Sequence, residues 1–269
     1  MNRFEKCFST LEGQGKKALV VYIVAGDPEP GLTVDLMHQM VSQGANIIEL
    51  GVPFTDPEAE GPVIQLAHER ALRSRTTLTN TMSMVREFRQ QDSETPIVLM
   101  GYVNPIEAMG YAVFVEKAAE SGVDGTIIVN LPPEEGETLG NAMIERGLSP
   151  IYLLSPTTLD ARARMICEQS RGFVYYVSLK GTTGATNLNY PEVEQRVGMF
   201  KAMTATPILV GFGIKDAESA GKIAKISDGA VVGTAIVKIV AENESEPVVI
   251  LQKVGALIAD IRAGMDSVR

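Results

Sequence analysis

Residues 207–236 read PILVGFGIKDAESAGKIAKISDGAVVGTAI, and the fold class turns on this stretch. It opens with Pro207 and the apolar run Ile208-Leu209-Val210, then turns at Gly211-Phe212-Gly213. A helical pattern follows, with Ala220, Ile223 and Ala224 on one face. A second apolar run, 230–232, ends in Gly233-Thr234 before another helical pattern begins near Ile236. Runs this short and this continuously apolar suit parallel strands buried on both faces, and the stripe between them supplies the crossover.

The same unit repeats outward through the chain. Apolar runs at 19–24, 46–50, 96–100, 125–129, 150–154 and 173–178 bring the number of predicted strands to eight. Between them lie helical stripes: Leu32, Leu36, Met40 and Val41, then Leu78, Met82, Val85 and Phe88, then Ala112, Val115, Ala118 and Ala119. Met143 and Ile144 come next, then Val193, Val197 and Phe200, and finally Val248, Leu251, Val254 and Ile258. Eight strands alternating with helices in 269 residues predict an α/β fold, a single-domain (β/α)8 TIM barrel over 1–269. An open doubly wound sheet alternates in the same way, but no G-x-G-x-x-G follows the first run; Gly26-Asp27-Pro28 stands there instead. Even spacing without a long linker favours one closed barrel over two domains.

Composition narrows the function. With 24 Lys and Arg against 33 Asp and Glu, the net charge of -9 argues against a nucleic-acid or anionic-membrane surface. It does not argue against a small phosphate ester, which backbone N–H groups can hold. Cys7 and Cys167 are too few for a disulfide framework or a zinc site. Residues 1–10 lack an apolar signal core and no stretch is long and uncharged enough to span a bilayer, so a soluble, cytoplasmic chain is expected. His38 and His68 fall in helical patterns away from strand ends; both are expected on a helix surface or in packing, and no metal site is predicted.

In a barrel the chemistry sits at the C-terminal ends of the strands. Glu49 is placed there, with apolar neighbours on both sides. A buried carboxylate is either satisfied by nearby donors or is a general acid/base whose pKa is raised by desolvation. The loop 53–61 that follows, PFTDPEAEG, carries Asp56, Glu58 and Glu60. Its prolines and glycine predict a shaped excursion that could bring a second carboxylate opposite Glu49, although all three can equally be solvated charges. Glycine clusters at 181–184, 211–213 and 233–235 follow the last three strands, and Thr234 opens a helix; together they predict a phosphate site. Residues 179–190 have no periodicity and read as a lid over the mouth.

The run Glu49-Leu50-Gly51-Val52-Pro53-Phe54-Thr55-Asp56-Pro57, followed by Gly61-Pro62 and Gln65, resembles the signature of the tryptophan synthase alpha subunit family. The likeness continues through Gly26-Asp27-Pro28, Tyr102-Val103-Asn104-Pro105, Leu131-Pro132-Pro133 and Tyr175-Tyr176, and so spans the chain. It implies a lyase that cleaves indole-3-glycerol phosphate to indole and glyceraldehyde 3-phosphate in tryptophan biosynthesis. It implies no cofactor in this chain, a pyridoxal-phosphate-dependent beta subunit as partner, and an allosteric alpha2-beta2 assembly. By the same resemblance Glu49 is the acid/base and Glu60 faces the indole nitrogen. Tyr22, Met100, Tyr102, Tyr175 and Thr183 surround the substrate, Gly184, Gly213, Gly233 and Thr234 hold the phosphate, and Pro53, Asp56, Pro57 and Asn104 meet the partner.

The chain departs from the family pattern at several points. Glu60 stands where aspartate is usual, Asn130 where aspartate is usual, and Tyr22 where phenylalanine is usual. Thr182 and Glu58 replace apolar residues. Two other readings follow: a weakly catalytic subunit that mainly activates a beta partner, and another phosphate-binding barrel such as a sugar-phosphate isomerase or epimerase.

Overall fold

The computed structural model describes residues 1–178, 189–211 and 213–268. The predicted strands form as β1 (Ala18–Val24), β2 (Ile47–Gly51), β3 (Ile97–Gly101), β4 (Gly125–Ile128), β5 (Ser149–Ile151), β6 (Leu153–Leu154), β7 (Val174–Val177), β8 (Ile208–Gly211) and β9 (Gly229–Val232). All pairings are parallel, in the order β5-β4-β3-β2-β1-β9-β8-β7-β6. The predicted run 150–154 is two strands because Tyr152 interrupts it. Since one residue separates β5 from β6, the two ends of the order meet and the sheet is a barrel. The Tyr175 N–H, donating to the Tyr152 carbonyl at 3.2 Å, spans the break.

Strand pleating sorts the side chains into two cores. Outward residues such as Leu19, Val21, Ile48, Leu50 and Val210 pack under the helices. Inward residues Val20, Ile47, Val98, Leu209 and Val231 fill the lower barrel with Phe173. The sequence pattern did not show what closes that end: the amphipathic helix Arg3–Gly13, which presses Phe4 and Leu11 into it. Phe4 meets Phe173 edge-on at 5.9 Å between ring centres. Asn2 starts this helix with a reciprocal cap, its side chain accepting from the Glu5 N–H and Glu5 accepting from the Asn2 N–H.

Three helical stripes need correction. Ala112 is exposed, and the buried face of its helix carries Phe114, Val115 and Ala118. Ile144 is exposed beside buried Met143, and Val248 is exposed on the last helix, Pro247–Asp266. That helix buries Val254 and Ile258 as expected, with Ile250 and Ile261 completing the face in place of Val248 and half-buried Leu251. No helix among the described residues is long and apolar enough to cross a membrane.

Candidate active site

Two residues further along five of the strands, the inward positions change character. Val20 gives way to Tyr22, Ile47 to Glu49, Val98 to Met100, Phe173 to Tyr175 and Val231 to Gly233. A plug of aliphatic side chains is thus overlaid by a layer with carboxylate, phenol and bare backbone. This upper layer opens into a cavity of about 440 Å³, a size suited to a small ligand.

Glu49 and Glu60 both line that cavity, so the structure brings the two carboxylates together. Glu49 is 1% exposed, and among the described residues neither of its carboxyl oxygens has a hydrogen-bond partner. Burial, and secondarily the charge of Glu60, push its pKa up to about 8. Burial alone pushes Glu60 up to about 7. Two buried carboxyl groups in one chamber do not readily ionise together, because burial penalises each charge and each charge opposes the other.

The loop 53–61 is pinned at three points. The Phe54 N–H donates to His68 Nδ1 at 3.1 Å, the Ala59 N–H donates to the Tyr102 hydroxyl at 3.0 Å, and Gln65 Nε2 donates to the Glu60 carbonyl at 2.8 Å. Phe54 also stacks on the Tyr102 ring at 4.9 Å. Tyr102, expected against substrate, is not among the cavity-lining residues; its hydroxyl is occupied in holding the loop. Glu58 and Asp56 are exposed while Glu60 is buried, so the loop turns one of its three carboxylates inward.

Two glycine-ended strands make room for tyrosines. A methyl on Gly51 would come within 2.5 Å of the Tyr22 hydroxyl, and one on Gly211 within 2.1 Å of the Tyr175 hydroxyl. Each ring therefore lies over the end of a neighbouring strand, where only glycine leaves the space. The buried Tyr22 hydroxyl has His68 Nε2 as its partner at 3.3 Å. His68 packs, as expected, but it is also wired into the site; His38 simply stacks on Phe88 at 4.4 Å.

At the other pole Gly213, Gly233 and Thr234 line the cavity. The helix Thr234–Glu242 starts at Gly233 with no side-chain cap, so its first N–H groups are not taken by a capping residue. Lys215 and Lys238 line the same cavity and were missed in the sequence. The available signal was faint: Lys238 lies one helical turn after Thr234. Thr182, Thr183 and Gly184, with nearly all of the predicted lid 179–190, lie outside the described residues.

The expected partner face is only partly exposed. Asp56 and Asn104 are at the surface, whereas Pro53 and Pro57 are buried and shape the loop from within. Asn130 accepts from the Val103 N–H at 2.8 Å and donates through Nδ2 to Asn104 Oδ1 at 3.2 Å. An aspartate could make the first bond but has no hydrogen for the second. No group of His, Cys, Asp and Glu among the described residues could hold a metal ion.

The chain is similar to known proteins over nearly its whole length. Residues 8–265 match the family model described as tryptophan synthase alpha chain. A tryptophan synthase alpha chain of Nitrosococcus oceani is 52% identical over 267 residues, covering 99% of this chain and 98% of that one. One from Marinobacter nauticus is 50% identical over 267 residues, covering 99% of each. The crystal structure of tryptophan synthase subunit alpha from Legionella pneumophila superposes with a TM-score of 0.90 at 45% identity, covering 99% of both chains.

Proposed function

The chain belongs to the tryptophan synthase alpha chain family, and on that premise we infer that it cleaves indole-3-glycerol phosphate to indole and glyceraldehyde 3-phosphate in tryptophan biosynthesis. The observation that carries the mechanism is Glu49: a carboxyl group buried without a partner and held protonated at the wall of a ligand-sized cavity.

Glu49 gives its proton to carbon 3 of the indole ring, and the ring nitrogen becomes cationic. The Glu60 carboxylate faces that N–H and stabilises the charge or takes the proton. Glu49, now a carboxylate, removes the proton from the neighbouring side-chain hydroxyl. The O–H electron pair becomes the aldehyde C=O, the C–C bond breaks, and its electrons return to the ring. The proton lent by Glu49 ends on indole, the one taken from the hydroxyl ends on Glu49, and any proton held by Glu60 goes back to nitrogen. Tyr22, Met100 and Tyr175 form the walls around the ring. Gly184, Gly213, Gly233 and Thr234 take the phosphate end, Thr183 belongs with the residues around the substrate, and Lys215 and Lys238 supply positive charge to the same chamber.

Proton transfer among the chain's own carboxylates suffices for this cleavage, and pyridoxal phosphate belongs to the partner. That partner is a tryptophan synthase beta subunit in an alpha2-beta2 assembly in the cytoplasm, with Asp56 and Asn104 on the surface that meets it. The solved tryptophan synthase of M. tuberculosis has a chain related to this one at 30% identity and a TM-score of 0.87, which supports the pairing. The test is indole release from indole-3-glycerol phosphate, alone and with a beta subunit added. Slow release that rises sharply with the partner is expected; no release in either mixture would overturn the reading.

A further inference from the structure

The acid/base layer and the phosphate pole use only part of the cavity. Its lining continues past Gly233 and Thr234 to three other places. Ile214 and Lys215 come from the turn after β8, Ala235, Lys238 and Ile239 from the helix Thr234–Glu242, and Leu257 from the helix Pro247–Asp266. None of these six belongs to a strand of the barrel.

The helix Thr234–Glu242 shows how far the lining runs. Thr234 and Lys238 are one turn apart on one face, as are Ala235 and Ile239, while Ile236, Val237 and Val240 are buried on the other side. A phosphate held by the free N–H groups of a helix start occupies the first turn. Ile239 lies about 7.5 Å further along the axis than Thr234, at 1.5 Å per residue. Leu257 stands on a different helix, so this end of the cavity has a wall that belongs neither to the barrel nor to the phosphate pole.

The chemistry of that end is mixed in a particular way. Ile214 is buried, and Ala235, Ile239 and Leu257 are half-buried. Lys215 and Lys238 are exposed, and neither ammonium has a hydrogen bond or an ion pair among the described residues. In a chain of net charge -9, two unpaired cations at one end of a cavity attract a negative group there and nowhere else along its lining. Apolar walls beside a cationic rim fit a molecule with an apolar body and one anionic group.

We propose that this end of the cavity is a second binding compartment, for an organic anion with an apolar body: the body lies against Ile214, Ala235, Ile239 and Leu257, and the negative group sits between Lys215 and Lys238. Such a ligand and the substrate's phosphate have the same sign and approach the same helix, so each weakens the binding of the other, by the same factor.

The experiment titrates the full chain with 8-anilinonaphthalene-1-sulfonate, an aromatic anion whose emission rises in apolar surroundings. One site per chain is expected. Its Kd is expected to rise about two- to fivefold in Lys238→Met and at least about tenfold in Ile239→Glu, with thermal melts confirming that each variant is folded. The titration is then repeated with 3-(indol-3-yl)propyl phosphate, the substrate without its two side-chain hydroxyls, which Glu49 has no proton to take from. The dye's Kd is expected to rise about five- to tenfold and then level off as this ester saturates, because both molecules are bound at once. A dye affinity unmoved by both substitutions, or a Kd that climbs without limit as the ester is added, overturns the proposal. A chain that does not bind the ester overturns the cleavage reading, while Lys238→Met and Ile239→Glu still decide the compartment.

Discussion

Glu49 owes its protonation to what surrounds it rather than to a partner, because its two oxygens are buried and unbonded. Glu49→Gln keeps the shape and removes the transferable proton. Indole release is expected to fall by at least about 10²-fold, with substrate binding retained; kcat and a direct binding isotherm separate the two. Glu60 is a finer case. Three hydrogen bonds fix the loop around it, so the backbone has little freedom to follow a shorter side chain. Glu60→Asp withdraws the carboxylate by about one methylene, and kcat/KM is expected to drop by about ten- to a hundredfold. Glu49 could be picked out from the sequence as a charge in an apolar strand end. His68 could not: a histidine on a helix carries no sign that its two nitrogens will bridge a loop and a phenol. Lys215 and Lys238 were equally hidden, because only the closed barrel shows which side of a strand-end turn faces the cavity.

At the scale of elements, the helix Pro62–Arg73 joins the parts of the site. It carries His68 toward Tyr22 and Phe54, and Arg70 toward Asp27 at the turn after β1, with Glu244 adding a carboxylate at 3.6 Å. Asp27→Ala would strand the buried Arg70 guanidinium, with only Glu244, itself half exposed, to meet it. A loss of about 3–5 kcal/mol is expected in urea unfolding, with the pocket loosened as well as the fold. The strands were legible because both their faces are buried, which makes each run almost wholly apolar. Tyr152 broke the fifth run without warning, since the break depends on strand pairing rather than on composition. The helix Arg3–Gly13 went unread because its charged residues mask a narrow apolar stripe. Phe4→Ala tests its role as a plug: unfolding free energy should fall by about 3–5 kcal/mol.

For the whole molecule, the two raised carboxyl groups make stability depend on pH with a definite sign. The folded chain keeps Glu49 protonated up to about pH 8, whereas the unfolded chain releases that proton near pH 4.5. The folded state thus binds more protons in that window, and the contribution is full at the acid end and lost as pH rises through it. Glu60, raised to about 7, acts in the same direction over a narrower window. Glu49→Gln should therefore unfold at nearly the same temperature as the parent at the acid end and at a higher temperature above pH 8. The difference there is on the order of a few kcal/mol, read by thermal melts across the series. The architecture as a whole followed from the repeating strand-helix unit, because closure is the arrangement in which every such strand finds two neighbours. The mouth of the barrel did not follow, because loop shape is set by individual hydrogen bonds such as those of Asn130 and Tyr102.

Gly51 under Tyr22 and Gly211 under Tyr175 constrain how this sequence can change over time. Any side chain at either glycine collides with a phenol, so those substitutions fail in the present background whatever their chemistry. Shrink the tyrosine first, and the nearest atoms that bar the substitution are gone. The two members of each pair are thus epistatic, and the order in which mutations arrive decides which are tolerated. A lineage can exchange an aromatic wall for a bulkier strand end only through an intermediate with a hollowed pocket. The strand-end glycines therefore record the ring that lies over them as much as any need of the backbone.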